Sequence, residues 1–386
     1  LSKSWFAIGI RTDEETDRWR RADGLLETLA ADIPNENARH NDWFRFAKTW
    51  AELLAVALDT NAMLPESVRQ KIEALQSQID AAIMPWLTKR YAGLVNLPPA
   101  PPVMLHHIPR FLSRHIIDDK KHKVAFVLVD GLALDQWIVI RKEIAKQRGN
   151  YRFRENAVFA WIPTITSVSR QAAFAGKPPI YFPNSIHTTD KEPALWSQFW
   201  VDQGLTQQDV AYAKGLGNGT LESVEEIVAR PKTRVVGLVV DKVDKIMHGM
   251  ELGAAGMHNQ VRQWAAGPFL VQLFDLLLEN RFRVYLSSDH GNIEASGCGR
   301  PTEGAVADLR GERARIYPDP VLRGQVKDCF PDALEWPPVG LPEGYLPLLA
   351  PARKAFVREK KLLVGHGGAS LEELIVPLVQ IERRDT

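Results

Sequence analysis

The sequence predicts an α/β protein, a mostly parallel sheet with helices on both faces, preceded by a small helical domain. Three observations carry that prediction. Apolar runs such as Val124–Val129 are continuous rather than alternating, as in strands buried on both faces. Stretches of helical periodicity separate these runs, the alternation that a parallel sheet with crossover helices requires. Upstream, residues 12–90 read as helices only and lead to Leu97-Pro98-Pro99-Ala100-Pro101-Pro102, a stiff extended linker.

In chain order, Trp43, Phe44, Phe46, Ala47, Trp50, Leu53, Leu54 and Leu58 recur at roughly helical spacing. Ile72, Leu75, Ile79, Ile83 and Met84 repeat that rhythm over Val68–Leu87, and Pro65-Glu66 suits the start of a helix. The linker then places the boundary, with a helical domain and linker over 1–115 and a second domain over 116–386. In the second domain, strands are expected at Val124–Val129, Asn156–Ile162, Arg234–Val240, Arg283–Ser287 and Glu373–Ile381. Helices are expected over Leu132–Gln147, from Thr166 to Ala175, and over Gln260–Glu279.

The 386 residues suffice for two domains, and 45% hydrophobic with 25% charged residues is the balance of a soluble globular protein. Net charge is +1, and residues 1–122 carry 16 basic and 16 acidic side chains, so no global charge points to nucleic acid or a membrane surface. Cys298 and Cys329 fit a reducing, cytoplasmic compartment and have no metal-ligand spacing. No apolar run approaches the ~20 residues that span a bilayer, and no signal peptide is visible. The chain starts at Leu1, which suggests a fragment or a processed chain.

Asp130, Thr166, Asp244 and Asp289 each follow an expected strand directly or closely, so all four are expected on the rim where ligands of such sheets bind. Asp130 ends the first strand and is followed by Gly131; alone it reads as a turn or cap residue. Asp244 and His248 stand four apart, on one face of a helical turn, and can close on one ion. Asp241 is a competing carboxylate at the strand end. Asp289 and His290 are adjacent and share an ion only if the chain turns there, which Gly291 permits; otherwise they serve neighbouring ions. His366 lies between Gly365 and Gly367-Gly368, glycines that let backbone approach a crowded centre. Three histidines and three carboxylates without a thiolate suit Zn²⁺, Mn²⁺ or Fe. Two such ions about 4 Å apart would clamp the attacking and leaving oxygens of a displacement at phosphorus.

Thr166 is the candidate nucleophile, at a helix start that favours a phosphate, and Arg170 one turn later could hold two phosphate oxygens. Thr164 lies off the Arg170 face and is the weaker choice. Gly215-Leu216-Gly217-Asn218-Gly219-Thr220 lacks the lysine of a phosphate loop and reads as a turn. Asp118-Asp119-Lys120-Lys121 reads as a solvated charge run, and His106, His107, His115 and His122 as structural or exposed. Arg300, Arg310 and Arg313 read as a surface loop.

The ordered set resembles the alkaline phosphatase superfamily. Within it, the stretch from about Lys123 to Glu382 resembles the PglZ domain of BREX phage-defence systems and some response regulators, most closely at Pro163–Arg170 and His366–Pro377. The resemblance implies two divalent ions, Zn²⁺ as the usual family metal and Mn²⁺ in the mutase branch. One ion would take Asp244, His248 and His366, and the other Asp130, Thr166, Asp289 and His290. Sulfatases of the superfamily need an oxidisable Cys or Ser where Thr166 stands. The mutases insert a domain that the 77 residues between Thr166 and Asp244 cannot hold. A threonine nucleophile is similar to the nucleotide pyrophosphatase/phosphodiesterase branch. The implied function is a phosphodiesterase or nuclease-like hydrolase acting on a phosphoester, nucleotide or nucleic acid, with other BREX components as partners and no membrane. The alternative is a structural or regulatory component whose metal site stabilises the fold and whose helical segment, with Trp43 and Trp50, docks partners.

Overall fold

The computed structural model describes residues 14–59, 64–117, 121–217, 219–304 and 311–384. Asp118, Asp119, Lys120, Asn218 and Arg310 therefore lie outside the described residues. Three helices open the chain: α1 (Glu14–Ala31), α2 (His40–Ala57) and α3 (Glu66–Leu94), the last beginning where Pro65-Glu66 predicts. The proline segment follows as turn and extended backbone, leading to a short 3-10 turn at Leu105–His107 and to α4 (Ile108–Ile117). Then come β1 (Lys123–Val129), α5 (Leu134–Gln147), β2 (Tyr151–Phe159), α6 (Thr166–Ala175), α7 (Glu192–Asp202), β3 (Val210–Leu216), α8 (Glu222–Val228) and β4 (Val235–Val240). They are followed by α9 (Lys242–His248), α10 (Gly253–Ala266), α11 (Phe269–Glu279), β5 (Phe282–Ser287), β6 (Ile293–Gly297), β7 (Ala314–Tyr317) and α12 (Pro320–Cys329). The chain closes with β8 (Leu334–Glu335), β9 (Leu346–Leu349), β10 (Lys354–Ala355), β11 (Leu362–Gly365), α13 (Leu371–Leu374) and β12 (Ile375–Arg383).

The main sheet has six strands in the order β2-β12-β5-β1-β4-β3. β1 pairs in parallel with β4 (Val124 opposite Val235) and with β5 (Lys123 opposite Phe282), and β3 pairs in parallel with β4. β12 runs antiparallel between β5 and β2, so the sheet is mixed but mainly parallel, as expected. Its central strands β1 and β4 are buried on both faces, which is why their apolar runs are continuous. Two three-stranded sheets, β10-β6-β11 and β7-β9-β8, flank it.

Three departures from the expected elements have local causes. The helix expected over Gln260–Glu279 is two helices, α10 and α11, broken at Gly267-Pro268. Proline disfavours helical backbone in the residue before it, and Gly267 is extended (φ −72°, ψ 167°). β2 begins at Tyr151, because its first half is an edge segment with alternating exposure rather than an apolar run. β3 was not expected at all. It is an edge strand with mostly half-buried and exposed positions, and it takes in the Gly215-Leu216 step expected to be only a turn.

The N-terminal helices share one apolar cluster with the sheet. Trp86 stacks on Phe159 of β2 at 5.5 Å, and Phe44 lies 4.9 Å from the same ring. Trp43 and Trp50 are 0% and 1% exposed, so both belong to the core and neither supplies a docking surface. His106 and His107 are buried, and each ring sets an Nε2 on the Val95 carbonyl. Among the described residues, no helix is long and apolar enough to cross a membrane.

Arg353 ties the helices to the end of the chain that braces the site. Its guanidinium joins Asp80 of α3 (3.1 Å) to Glu372 of α13 (2.7 Å), and Trp50 donates Nε1–H to the same Glu372 oxygen at 2.9 Å. Burial pushes the Asp80 carboxyl up to about 6, against the pull of Arg353. Between the ordinary value of 3.8 and about 6, the folded state therefore holds a proton that the unfolded chain has released. The stability from this group is present at low pH and is lost as pH rises through that window. Asp80→Asn removes the effect. Relative to wild type, the variant's unfolding free energy is expected to gain at most about 3 kcal/mol between pH ~4 and ~6 and then stay level. Urea unfolding in pH steps measures this, and a difference that does not change with pH refutes it.

Candidate metal centre

The rim at the carboxyl ends of the central strands carries the expected residues. Asp130 follows β1, Asp289 lies two residues beyond β5, Thr166 opens α6, and Asp244 sits in α9 just after β4. Gly131, with φ +73°, makes the turn after Asp130. A Cβ there would lie 3.7 Å from His290 Cε1 and 3.8 Å from the Asp244 Cα, so the β1 turn, the β5 turn and α9 meet at this point.

Among the described residues, Asp130, Asp289 and His290 are the acidic and histidine side chains whose ligand atoms all lie within 4.8 Å of one another. All three are buried, and Thr166 beside them is half-buried. The chain bends at Asp289, so both members of the Asp-His pair face inward, as the sequence allowed. Asp289 Oδ1 accepts from the Gly131 N–H at 3.0 Å and the His290 N–H at 3.1 Å. Its Oδ2 is buried with no donor, and so is Asp130 Oδ1. Burial and the neighbouring Asp130 charge push the Asp289 carboxyl well above its ordinary range. Burial and the nearby His366 hold His290 well below its ordinary value, as a neutral ring.

The histidine tautomers follow from their partners. His290 Nδ1 faces the Gly291 carbonyl at 3.0 Å, and His366 Nδ1 faces the Thr164 carbonyl at 2.8 Å. A carbonyl only accepts, so each Nδ1 carries the proton and each Nε2 presents a lone pair. His290 Nε2 points at Thr166 Oγ1, 3.0 Å away, while His366 Nε2 is buried without a partner. The two rings stack at 3.8 Å. Carbonyl-anchored imidazoles with free Nε2 atoms beside two undonated carboxylate oxygens have the chemistry of a cation site, so the residues fit a divalent metal.

Not every expected ligand joins this group. Asp244 Oδ2 and His248 Nε2 pair with each other at 3.2 Å, on one face of α9 as their spacing predicts. Asp241 pairs with Lys245 at 2.7 Å through one oxygen, and its other oxygen is buried without a donor. Among the described residues, Asp244, His248 and His366 do not bring their ligand atoms within 4.8 Å of one another. Arg170 is buried and already engaged. Its guanidinium forms an ion pair with Asp130, and its Nε meets Glu192 at 2.8 Å.

Several residues that hold the site were not given that role from the sequence. Thr164, set aside as a nucleophile, donates Oγ1–H to the Gly368 carbonyl at 2.8 Å and accepts from Gly367 N–H at 3.1 Å, stitching the nucleophile segment to the His366 loop. Glu373 is fully buried and accepts from Gly368 N–H (2.9 Å), Ser370 N–H (3.1 Å), Ser370 Oγ–H (2.6 Å) and Arg313 Nε–H (2.9 Å). The Ser370-x-x-Glu373 spacing is a capping-box signal that could have found it. Arg313, expected in a surface loop, is 1% exposed because it neutralises Glu373; Arg300 is exposed as expected. Asn292 donates to the Gly131 carbonyl at 2.8 Å and takes a hydrogen bond from Gln136 at 2.8 Å, bracing the β1 turn from behind.

The described fold can be set beside known proteins. A family model described as the BREX system PglZ alkaline phosphatase-like domain matches residues 109–381. No curated protein matches the chain. Among solved structures, murine ectonucleotide pyrophosphatase/phosphodiesterase 5, inactive and in complex with AMP, is similar at 12% identity and a TM-score of 0.49, over 67% of this chain and 88% of that one. The human protein of the same name has 12% identity and a TM-score of 0.47, over 67% and 87%. Phosphonoacetate hydrolase from Sinorhizobium meliloti 1021, in complex with phosphonoformate, has 13% identity and a TM-score of 0.39, over 67% and 90%. The family match covers most of the chain and contains every residue of the site just described, so this protein belongs to the PglZ family of BREX alkaline phosphatase-like domains.

Proposed function

We propose that the protein is a metal-dependent phosphoester hydrolase with Thr166 as nucleophile, acting on phosphodiesters of the nucleotide or nucleic-acid class within a BREX assembly. The observation that carries this reading is the Thr166 hydroxyl, which is half-buried, opens α6 and lies 3.0 Å from the lone pair of His290 Nε2. Asp130, Asp289, His290 and Thr166 would hold one ion, and Asp244, His248 and His366 the other. The stacking of His366 on His290 sets His366 beside the first cluster. When bound, divalent ions would favour the alkoxide of Thr166 and offset charge on the phosphoryl oxygens, with Zn²⁺ preferred and Mn²⁺ the alternative.

The chain's own part can be traced atom by atom. Thr166 Oγ gives up its proton to solvent and forms a bond to phosphorus while the bond to the leaving oxygen breaks; that oxygen departs with the electron pair and takes up a proton. Water then adds to phosphorus, the P–Oγ bond breaks, and Thr166 regains its proton. The N-terminus of α6 directs backbone N–H dipoles toward the phosphoryl group. Arg170, assigned from the sequence to the phosphate oxygens, instead engages its guanidinium with Asp130 and Glu192, behind the cluster.

The test uses the purified protein with Zn²⁺ or Mn²⁺, assayed with bis-p-nitrophenyl phosphate, p-nitrophenyl phosphate and a thymidine p-nitrophenyl phosphodiester. Thr166→Ala is expected to lose on the order of 10³-fold or more in kcat/KM while keeping its metal. A variant within tenfold of wild type removes Thr166 as nucleophile. A wild type that holds metal and hydrolyses none of the esters favours the structural or regulatory reading instead.

A further inference from the structure

A buried network lies behind the cluster, and two of its members, Glu192 and Tyr212, have no role in the steps of the proposed reaction. Glu192 is the first residue of α7 and is 0% exposed. Both of its oxygens are engaged: Oε1 takes the Arg170 Nε–H at 2.8 Å, and Oε2 takes the Tyr212 hydroxyl of β3 at 2.6 Å. Arg170 reaches forward from α6 to Oδ2 of Asp130, at the end of β1. The chain Tyr212–Glu192–Arg170–Asp130 thus crosses four elements and ends on a carboxylate whose other oxygen, Oδ1, is buried without a donor.

The geometry points to Glu192 as a positioning residue of the metal-facing carboxylate Asp130, acting through Arg170, with Tyr212 fixing the Glu192 carboxylate. This rests on the reading of Asp130, Asp289 and His290 as cation ligands. Two physical arguments support it. The first is orientation. A guanidinium held by Glu192 on one edge is a fixed fork, so an Asp130 oxygen bound to it cannot rotate, and the carboxylate, with ligand atoms of Asp289 and His290 within 4.8 Å, is fixed in place. The second is charge. An uncompensated arginine beside Asp130 would cancel the negative charge that attracts a cation. Glu192 returns that charge, so the pair Arg170–Glu192 aligns Asp130 without neutralising the centre. Stability alone is a poor reason for such a network, because a buried carboxylate–guanidinium–carboxylate triad gains little over an apolar packing.

The test is metal affinity measured apart from turnover. Zn²⁺ and Mn²⁺ dissociation constants are determined by chelator competition for the full chain as wild type, Glu192→Gln and Tyr212→Phe. Thermal unfolding is measured with metal and with excess chelator. Glu192→Gln is expected to weaken metal binding by about 10- to 100-fold, the range for partners of metal ligands. Tyr212→Phe is expected to weaken it several-fold, with the melting temperature in chelator close to wild type. A role in packing alone would lower that temperature and leave the dissociation constant unchanged. If Glu192→Gln does not fold, Tyr212→Phe, at a half-buried site and nearly isosteric, decides. Dissociation constants within twofold of wild type overturn the inference. A wild type that binds neither metal overturns both the inference and the proposed hydrolase function. A wild type that binds metal but hydrolyses no ester overturns only that function.

Discussion

Asp289→Asn is expected to abolish metal retention and ester hydrolysis together while leaving the metal-free fold intact or firmer. The side chain is fully buried, and the substitution keeps the shape and the Oδ1 that accepts from Gly131 and His290. It replaces Oδ2, which has no donor, with an amide nitrogen able to donate toward Asp130. The burial cost and the Asp130 repulsion that push the Asp289 carboxyl upward disappear, and with them the second negative charge of the site. Two measurements separate the effects. At a metal concentration 100 times its dissociation constant, wild type should gain about 2.7 kcal/mol of stability over the chelated form, and the variant essentially none. Hydrolysis should fall by on the order of 10³-fold, as when preorganised charge stabilisation is removed. A variant that keeps wild-type metal content would sink the assignment of Asp289 as a ligand.

Gly291→Ala is expected to cost more than about 4 kcal/mol or to prevent folding, the range reserved for a specific structural failure. A Cβ on Gly291 would stand 1.9 Å from the Glu372 carbonyl oxygen, and that neighbour is backbone. The contact cannot relax by separation, because the Gly291 N–H is bonded to the Glu373 carbonyl at 2.9 Å. The segment that would have to move also carries the Glu373 carboxylate, which holds the His366 loop. Even a folded fraction should therefore lose the alignment of His290 with Thr166. Gly93→Ala serves as the control. It lies in α3 with nothing within 4 Å of the new methyl group, and it should stabilise by up to about 1 kcal/mol. Urea unfolding of both variants checks the contrast. A Gly291→Ala protein within 1 kcal/mol of wild type would show that the loop is not locked as described.

Both variants lie in one short stretch, and they show how the site is built. Asp289, His290 and Gly291 are consecutive, and Glu372 and Glu373 brace them from the far end of the chain. In the proposed hydrolysis this brace would matter alongside the ligands. A loose His366 loop would leave an Nε2 lone pair without a fixed direction.

The order of chemistry along the chain was legible in the sequence because it depends on local rules. A continuous apolar run marks a strand buried on both faces, and the residues just beyond its carboxyl end lie on the binding rim. On that basis Asp130, Thr166, Asp244 and Asp289 could be named as candidates; His248, His290 and His366 came from local spacing and flanking glycines, and their grouping from the family resemblance. The break at Pro268, the edge strands β2 and β3, and the small flanking sheets were less legible. Edge strands carry a mixed pattern, and short strands depend on partners distant in sequence. The partners of Arg170 could not be read at all. Nothing in Glu192 or Tyr212 as residues announces a role; 22 and 42 positions separate them from Arg170, and only α7 packing against α6 and beside β3 joins them. The sequence by itself determined the fold class and the rim and offered candidates for the reactive groups, because periodicity and strand ends are properties of neighbouring residues. Tertiary structure alone decided which nitrogen of each histidine carries its proton, which carboxylate oxygens lack a donor, and which charges balance Arg170. Those depend on atoms that approach only when distant segments pack.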